Sequence, residues 1–147
     1  LAWNAKEKKI RWYNKLWDEE EITRIKKGVE KYDYMFLDLA WSKKEEDVMN
    51  KAKRQSLDWL LENAEKGDNL VRKVSGFALL DILVGDNGTP IIPTAITTSF
   101  YSTAVANFCG SRWNCSVFHK WEDEGNFFKF IIDILRKESN ERSSNVY

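Results

Sequence analysis

Between Ser42 and Gly67 the chain carries a start signal, a stop signal and one apolar stripe, which together constrain its fold more than any other stretch. Ser42 followed three residues later by Glu45 has the form of a capping box, in which a hydroxyl and a carboxylate satisfy the first unpaired amides of a helix. Lys66-Gly67 has the form of a helix end, with a basic side chain near the last carbonyls and a glycine free to take the left-handed turn. Val48, Ala52, Gln55, Trp59, Leu60, Asn63 and Ala64 recur at helical spacing, and Lys43, Lys44, Glu46, Lys53 and Glu62 fall towards water. One long helix is predicted over 42–66.

The same spacing extends the helical reading along most of the chain. Trp3, Ile10, Tyr13 and Trp17 predict a first amphipathic helix over 3–17. Asp18 with Glu21 resembles a second capping box leading to Ile22, Ile25 and Val29. Val29, Tyr32, Phe36 and Leu39 also keep helical spacing, although the rings around Met35 would equally suit a short strand. Asp68 or Asn69 can cap a further helix whose residues 77–84 are apolar almost all round except at Asp81, as in a buried central helix.

Residues 85–90, Gly-Asp-Asn-Gly-Thr-Pro, are dense in turn formers and predict a defined loop. Over 94–108, Ile96, Phe100, Ala104 and Phe108 repeat every four residues as on a helix, yet the threonines and Val105 are β-branched. Residues 116–121 suit either a short extended piece or a helical turn. Asn126 can cap a last helix carrying Phe127, Phe130, Ile131, Ile134 and Leu135 inward. The expectation is a mostly α fold: a multi-helix single domain of about five or six helices over 1–137, with a flexible tail over 138–147.

With 43% apolar and 31% charged residues the 147-residue chain lies far from the composition of disorder and suits one core. Its 23 basic and 23 acidic side chains cancel, which argues against a nucleic-acid partner. The basic-aromatic run over 8–15 is followed at once by Glu19, Glu20 and Glu21, and reads as an ordinary amphipathic face. The least charged stretch, 77–112, is interrupted by Asp81 and Asp86 and does not predict a transmembrane segment. The first residue is Leu1 rather than Met, which points to a removed upstream segment.

Cys109 and Cys115 are the whole cysteine complement and flank a polar turn, so a disulfide and a pair of free thiols both remain open. The bridge would imply a periplasmic or secreted protein, the thiols a cytoplasmic one. Cys109 as a nucleophile served by His119 is the minor alternative to both. Two strings match the N-glycosylation pattern, at Asn87 and Asn114, but Pro90 follows the first and Cys115 sits within the second.

Two function classes follow. The absence of a catalytic signature and the abundance of rings favour a non-catalytic interaction protein of inhibitor, immunity or accessory type, docking to a protein partner. Its candidate contact residues are Trp113, Arg112, Asp86, Asn87 and Trp121. The alternative is a small enzyme: His119 is the only histidine and, on a helix, would share a face with Glu122 and Asp123 as an acid–base group. The spacing provides no metal-ligand set and no cofactor motif.

Overall fold

The computed structural model describes residues 2–4, 9–11, 19–29, 32–66, 70–120, 122, 125–126, 129–133 and 136. It is an α/β arrangement, which overturns the mostly α expectation. A five-stranded sheet runs in the order β2-β1-β3-β4-β5, formed by β1 (Ala2–Asn4), β2 (Lys9–Arg11), β3 (Tyr34–Leu37), β4 (Thr94–Thr98) and β5 (Ser116–His119). The first two strands pair antiparallel with each other, and β1 pairs antiparallel with β3. The last three are parallel, with Leu37 opposite Ile96 and Thr97 opposite Phe118. Six helices are named among the described residues: α1 (Glu19–Lys26), α2 (Lys43–Arg54), α3 (Leu57–Glu65), α4 (Leu70–Lys73), α5 (Ser75–Ile82) and α6 (Thr103–Trp113).

Residues 94–98 form a strand because their surroundings differ from those of a helix stripe. Thr94, Ala95, Ile96 and Thr98 are all buried, so both faces of this strand are covered, the usual condition of a parallel strand between two others. β-branched side chains suit such a position. The two buried hydroxyls are satisfied locally: Thr94 Oγ1 donates to the Ile92 carbonyl at 2.7 Å, and Thr98 Oγ1 accepts from the Phe100 amide at 3.0 Å. The four-residue recurrence of Ile96, Phe100, Ala104 and Phe108 therefore spans a strand, a loop and a helix. Its regularity is coincidental.

Three further corrections have equally local causes. Tyr34 to Leu37 alternate between half-buried and buried, the period of a strand, although Tyr32 and Phe36 lie four apart. The predicted 42–66 helix is two helices. Gln55 leaves the helical region, and the Ser56 hydroxyl caps a new start by accepting from the Trp59 amide at 3.3 Å. Gln55 is accordingly exposed rather than inward. The first predicted helix is contradicted at Ala2–Asn4 and Lys9–Arg11, which are strands. Val29 is 64% exposed and does not extend the inner stripe of α1.

Other expectations stand. Ser42 Oγ accepts from the Glu45 amide at 3.3 Å, and α5 is buried at Phe77, Leu79 and Leu80, although it ends at Ile82 and Val84 instead bridges Pro90; of the two alternatives for 116–121, residues 116–119 take the extended one. Residues 129–133 are helical, and the tail over 138–147 lies outside the described residues.

One core joins these elements. Met35, Leu37, Ile96 and Val117 belong with Met49, Leu60, Leu80, Val105 and Phe108 to a single apolar cluster. Within it Phe77, Phe108 and Trp113 pack ring against ring, with centroids 5.4 to 5.5 Å apart; such pairs contribute beyond their buried area. Tyr34, Phe36 and Phe118 alternate onto the other face of the sheet, where the Phe130 ring lies 5.8 Å from Tyr34 and 5.1 Å from Phe118.

The turn after β3 is held by two close approaches. The Gly76 amide donates to the Leu39 carbonyl at 2.9 Å, and a Cβ at Gly76 would lie 2.6 Å from the Leu39 Cα. Only glycine lets α5 start against that backbone. Glu45, in the first turn of α2, accepts a hydrogen bond from the Ser75 amide at the start of α5. Burial alone would raise the Glu45 pKa, but the hydrogen bonds from Ser75, Ser42 and the Trp41 backbone outweigh it and hold it below the usual value. A carboxyl depressed in the folded state stabilises above its unfolded pKa and loses that contribution as pH falls through the folded one. Glu45→Gln is therefore expected to lower the urea midpoint at neutral pH, and the gap from the parent chain should close as the pH falls below the carboxylate range.

Candidate functional site

Because β3, β4 and β5 run parallel, their carboxyl ends and the loops that follow open on one edge of the sheet. In open parallel sheets this is the edge where ligands are usually held. Here it carries Asp38 after β3, Ser99 to Ser102 after β4, and His119 with Lys120 at the end of β5. The edge is tied together by backbone and side chains. The Lys120 amide donates to the Thr98 carbonyl at 2.9 Å, and Lys120 Nζ lies 3.3 Å from Asp38 Oδ2. Both of these side chains are exposed enough that their ion pair contributes about 0 to 1 kcal/mol. The Trp41 indole N–H donates to the Asp38 carbonyl at 2.7 Å, fixing the loop that presents the carboxylate.

His119 lies between a ring and a carboxylate. Its Nδ1 is 3.0 Å from Glu122 Oε2, and its ring stacks on Tyr101 at 5.8 Å between centroids and 14° between planes. The imidazole is 17% exposed and the carboxylate 77%. In the neutral ring, a proton on Nδ1 directed at the carboxylate puts the basic lone pair on Nε2, the arrangement used by carboxylate-oriented histidine bases. Ser102 caps α6, its hydroxyl accepting from the Val105 amide at 3.1 Å.

Of the acid–base residues read from the sequence, the structure brings His119 and Glu122 together, and Asp123 lies outside the described residues. The geometry differs from the helical one expected: His119 ends a strand and Glu122 sits in the turn after it. The stacking of Tyr101 on His119, the placing of Ser102 at the same edge and the pairing of Asp38 with Lys120 were not legible. Asp38, Tyr101 and Ser102 each follow a β-strand end or precede a helix start that the helical reading had erased.

The docking residues separate. Trp113 is 1% exposed and belongs to the core, so its ring cannot reach a partner. Its indole N–H is buried without an acceptor among the described residues, as is Arg112 Nε. The Arg112 guanidinium lies 5.4 Å from the Trp113 ring and pairs through Nη2 with Asp81 at 3.1 Å. Asp86 and Asn87 are exposed at the tip of a hairpin, and Trp121 lies outside the described residues.

Cys109 and Cys115 are both buried free thiols, which corrects the disulfide alternative. The cause is the end of α6. Asn114 takes the left-handed conformation at φ 54° and its amide donates to the Gly110 carbonyl at 3.0 Å, an αL cap that carries the chain straight into β5 rather than through an open turn. Burial pushes the Cys115 thiol up to about 11, and burial first, then the neighbouring Cys115, raises Cys109 further. Neither forms the thiolate a nucleophile needs near neutral pH.

Among the described residues no cluster of three or more His, Cys, Asp or Glu side chains is placed to hold a metal ion, and no helix is long and apolar enough to cross a membrane. Compared with protein families, with curated proteins and with solved structures, the chain matches none.

Placing Trp113 in the core gives a direct expectation. Trp113→Ala should destabilise the fold by about 3 to 5 kcal/mol, read as a drop in the denaturant midpoint. A side chain serving only a partner would leave the midpoint unchanged.

Proposed function

We propose that this chain is a small acid–base enzyme working at the carboxyl edge of its parallel strands, with His119 as the proton-transferring group and Glu122 orienting it. The observation that carries the reading is the 3.0 Å contact between His119 Nδ1 and Glu122 Oε2 beside the stacked Tyr101 ring. An imidazole positioned by a carboxylate can take a proton from a substrate or from water and return it. Lys120 and Asp38 at the same edge supply charge of both signs for orienting a polar substrate.

A second reading, non-catalytic docking to a protein partner, rests on a different surface. The hairpin over 84–90 is closed by the Gly85 amide donating to the Thr89 carbonyl at 2.7 Å and by the Ile91 amide donating to the Leu83 carbonyl at 2.7 Å. Ile82 and Ile91, 38% and 46% exposed, flank this ordered tip. Asp86 and Asn87 are the members of the predicted contact set that stand exposed among the described residues, and the exposed aliphatic side chains of Ile82 and Ile91 extend that surface.

A chromogenic panel of p-nitrophenyl esters, phosphates and glycosides distinguishes the two readings. Turnover by the parent chain should fall about 100-fold or more in His119→Gln, the scale of a lost acid–base group, and by less in Glu122→Gln, with unchanged denaturant midpoints. Full turnover in His119→Gln would reject the enzymatic reading. Ile91→Asp should leave turnover unaltered, and would abolish partner binding if docking is the function.

A further inference from the structure

We propose that Asn87 is a site of spontaneous deamidation in the folded protein, converting through a cyclic imide to aspartate and isoaspartate at the tip of the 84–90 hairpin. The proposal does not depend on the acid–base reading, because it uses only the hairpin and water.

Asn87 is exposed and precedes Gly88, which stands at φ 79° with nothing within 4 Å of the place a Cβ would occupy. Gly88 has no side chain of its own to crowd its nitrogen, the atom that must attack the Asn87 side-chain carbonyl carbon. Asn87 Oδ1 accepts from the Thr89 hydroxyl at 2.7 Å and from the Thr89 amide at 3.2 Å. Both donors stand where negative charge develops as the Gly88 nitrogen adds to Cγ, so they stabilise that charge as oxyanion donors do. They also hold the side-chain oxygen inward, which leaves the departing amide nitrogen on the opposite side of the carboxamide.

The restraint is the hydrogen bond from the Gly88 amide to the Gly85 carbonyl at 3.1 Å. It lies at a loop tip, where local opening costs far less than global unfolding. Once it opens, water or hydroxide removes the Gly88 amide proton and the N–Cγ bond forms. The Cγ–Nδ2 bond then breaks, releasing ammonia and closing the five-membered imide. Water adds to either imide carbonyl and the ring opens, to aspartate if Cγ is attacked and to isoaspartate if the main-chain carbonyl is. No oxidant or reductant is needed.

Asn50 and Asn107 are also exposed, but they sit inside α2 and α6 before Lys51 and Phe108. The amides that would attack there are held in helical hydrogen bonds and carry side chains. The products at Asn87 would matter locally. Aspartate adds a second negative charge next to Asp86, and isoaspartate lengthens the main chain by one carbon within the ladder that orders Ile91.

The test is peptide mapping of the intact native chain held in mildly alkaline buffer, against an unincubated control. The tryptic peptide over 74–112 contains both Asn87 and Asn107. Conversion is expected at Asn87 several-fold above that at Asn107, with separable aspartate and isoaspartate forms, and Asn87→Gln should remove it. Equal conversion at the two positions would overturn the proposal. So would conversion at Asn87 seen only after unfolding in urea, since the folded hairpin would then be a protector of the residue.

Discussion

The strand Thr94–Thr98 must be covered on both faces and paired on both edges, and the rest of the molecule meets that requirement. Four of its five residues are buried, so an unpaired edge would leave amides and carbonyls without partners away from water, and an uncovered face would expose its side chains. β3 and β5 close the two edges in parallel register. A parallel neighbour cannot be reached by a tight turn, so chain must cross over between strands. The helices α2 to α5 fill the first crossover and α6 fills the second, and their apolar sides become the core against one face of the sheet.

That requirement also fixes the edge where the polar residues gather. Parallel strands end together, and the segments leaving them carry Asp38, Ser102, His119 and Lys120. The loop after β3 is the most tightly specified: Gly76 allows α5 to touch the Leu39 backbone, and Glu45 ties the starts of α2 and α5 to one another. Asp38 is therefore presented by a rigid element. The 84–90 hairpin is the contrasting feature: its base packs on the core through Val84, and its exposed tip is ordered by its own backbone bonds.

The sequence was legible where one local signal acted alone. The Ser42 cap, the apolar faces of α5 and the turn formers over 85–90 all carry their structure in a few neighbouring side chains. It misled where two periods coincide. In Tyr34 to Leu37 consecutive rings and aliphatic groups suit a helix stripe and a strand equally, and in Thr94 to Thr98 the four-residue recurrence through Ile96 and Phe100 outweighed the β-branched threonines; only the neighbouring strands decide between the two. The break at Ser56 was missed because a serine inside an apolar stripe is tolerated in a helix and is also a good cap. At the candidate site, His119 and Glu122 were found by chemical type and short spacing, whereas Asp38 lies more than eighty residues away in sequence and reaches Lys120 only through the sheet. Trp113 was misread because an arginine and an asparagine beside it suggested a polar turn, while its own ring closes the core against Phe77 and Phe108.

The most direct measurement of this account is a set of nuclear Overhauser contacts across 94–98 in the isotopically labelled chain. Cross-strand contacts placing Ile96 beside Leu37 and Thr97 beside Phe118 are expected, in parallel register and without sequential helical contacts in that stretch. Helical contacts between residues three apart through 94–98, with no cross-strand partners, would contradict the parallel sheet and remove the edge on which His119, Lys120 and Asp38 meet.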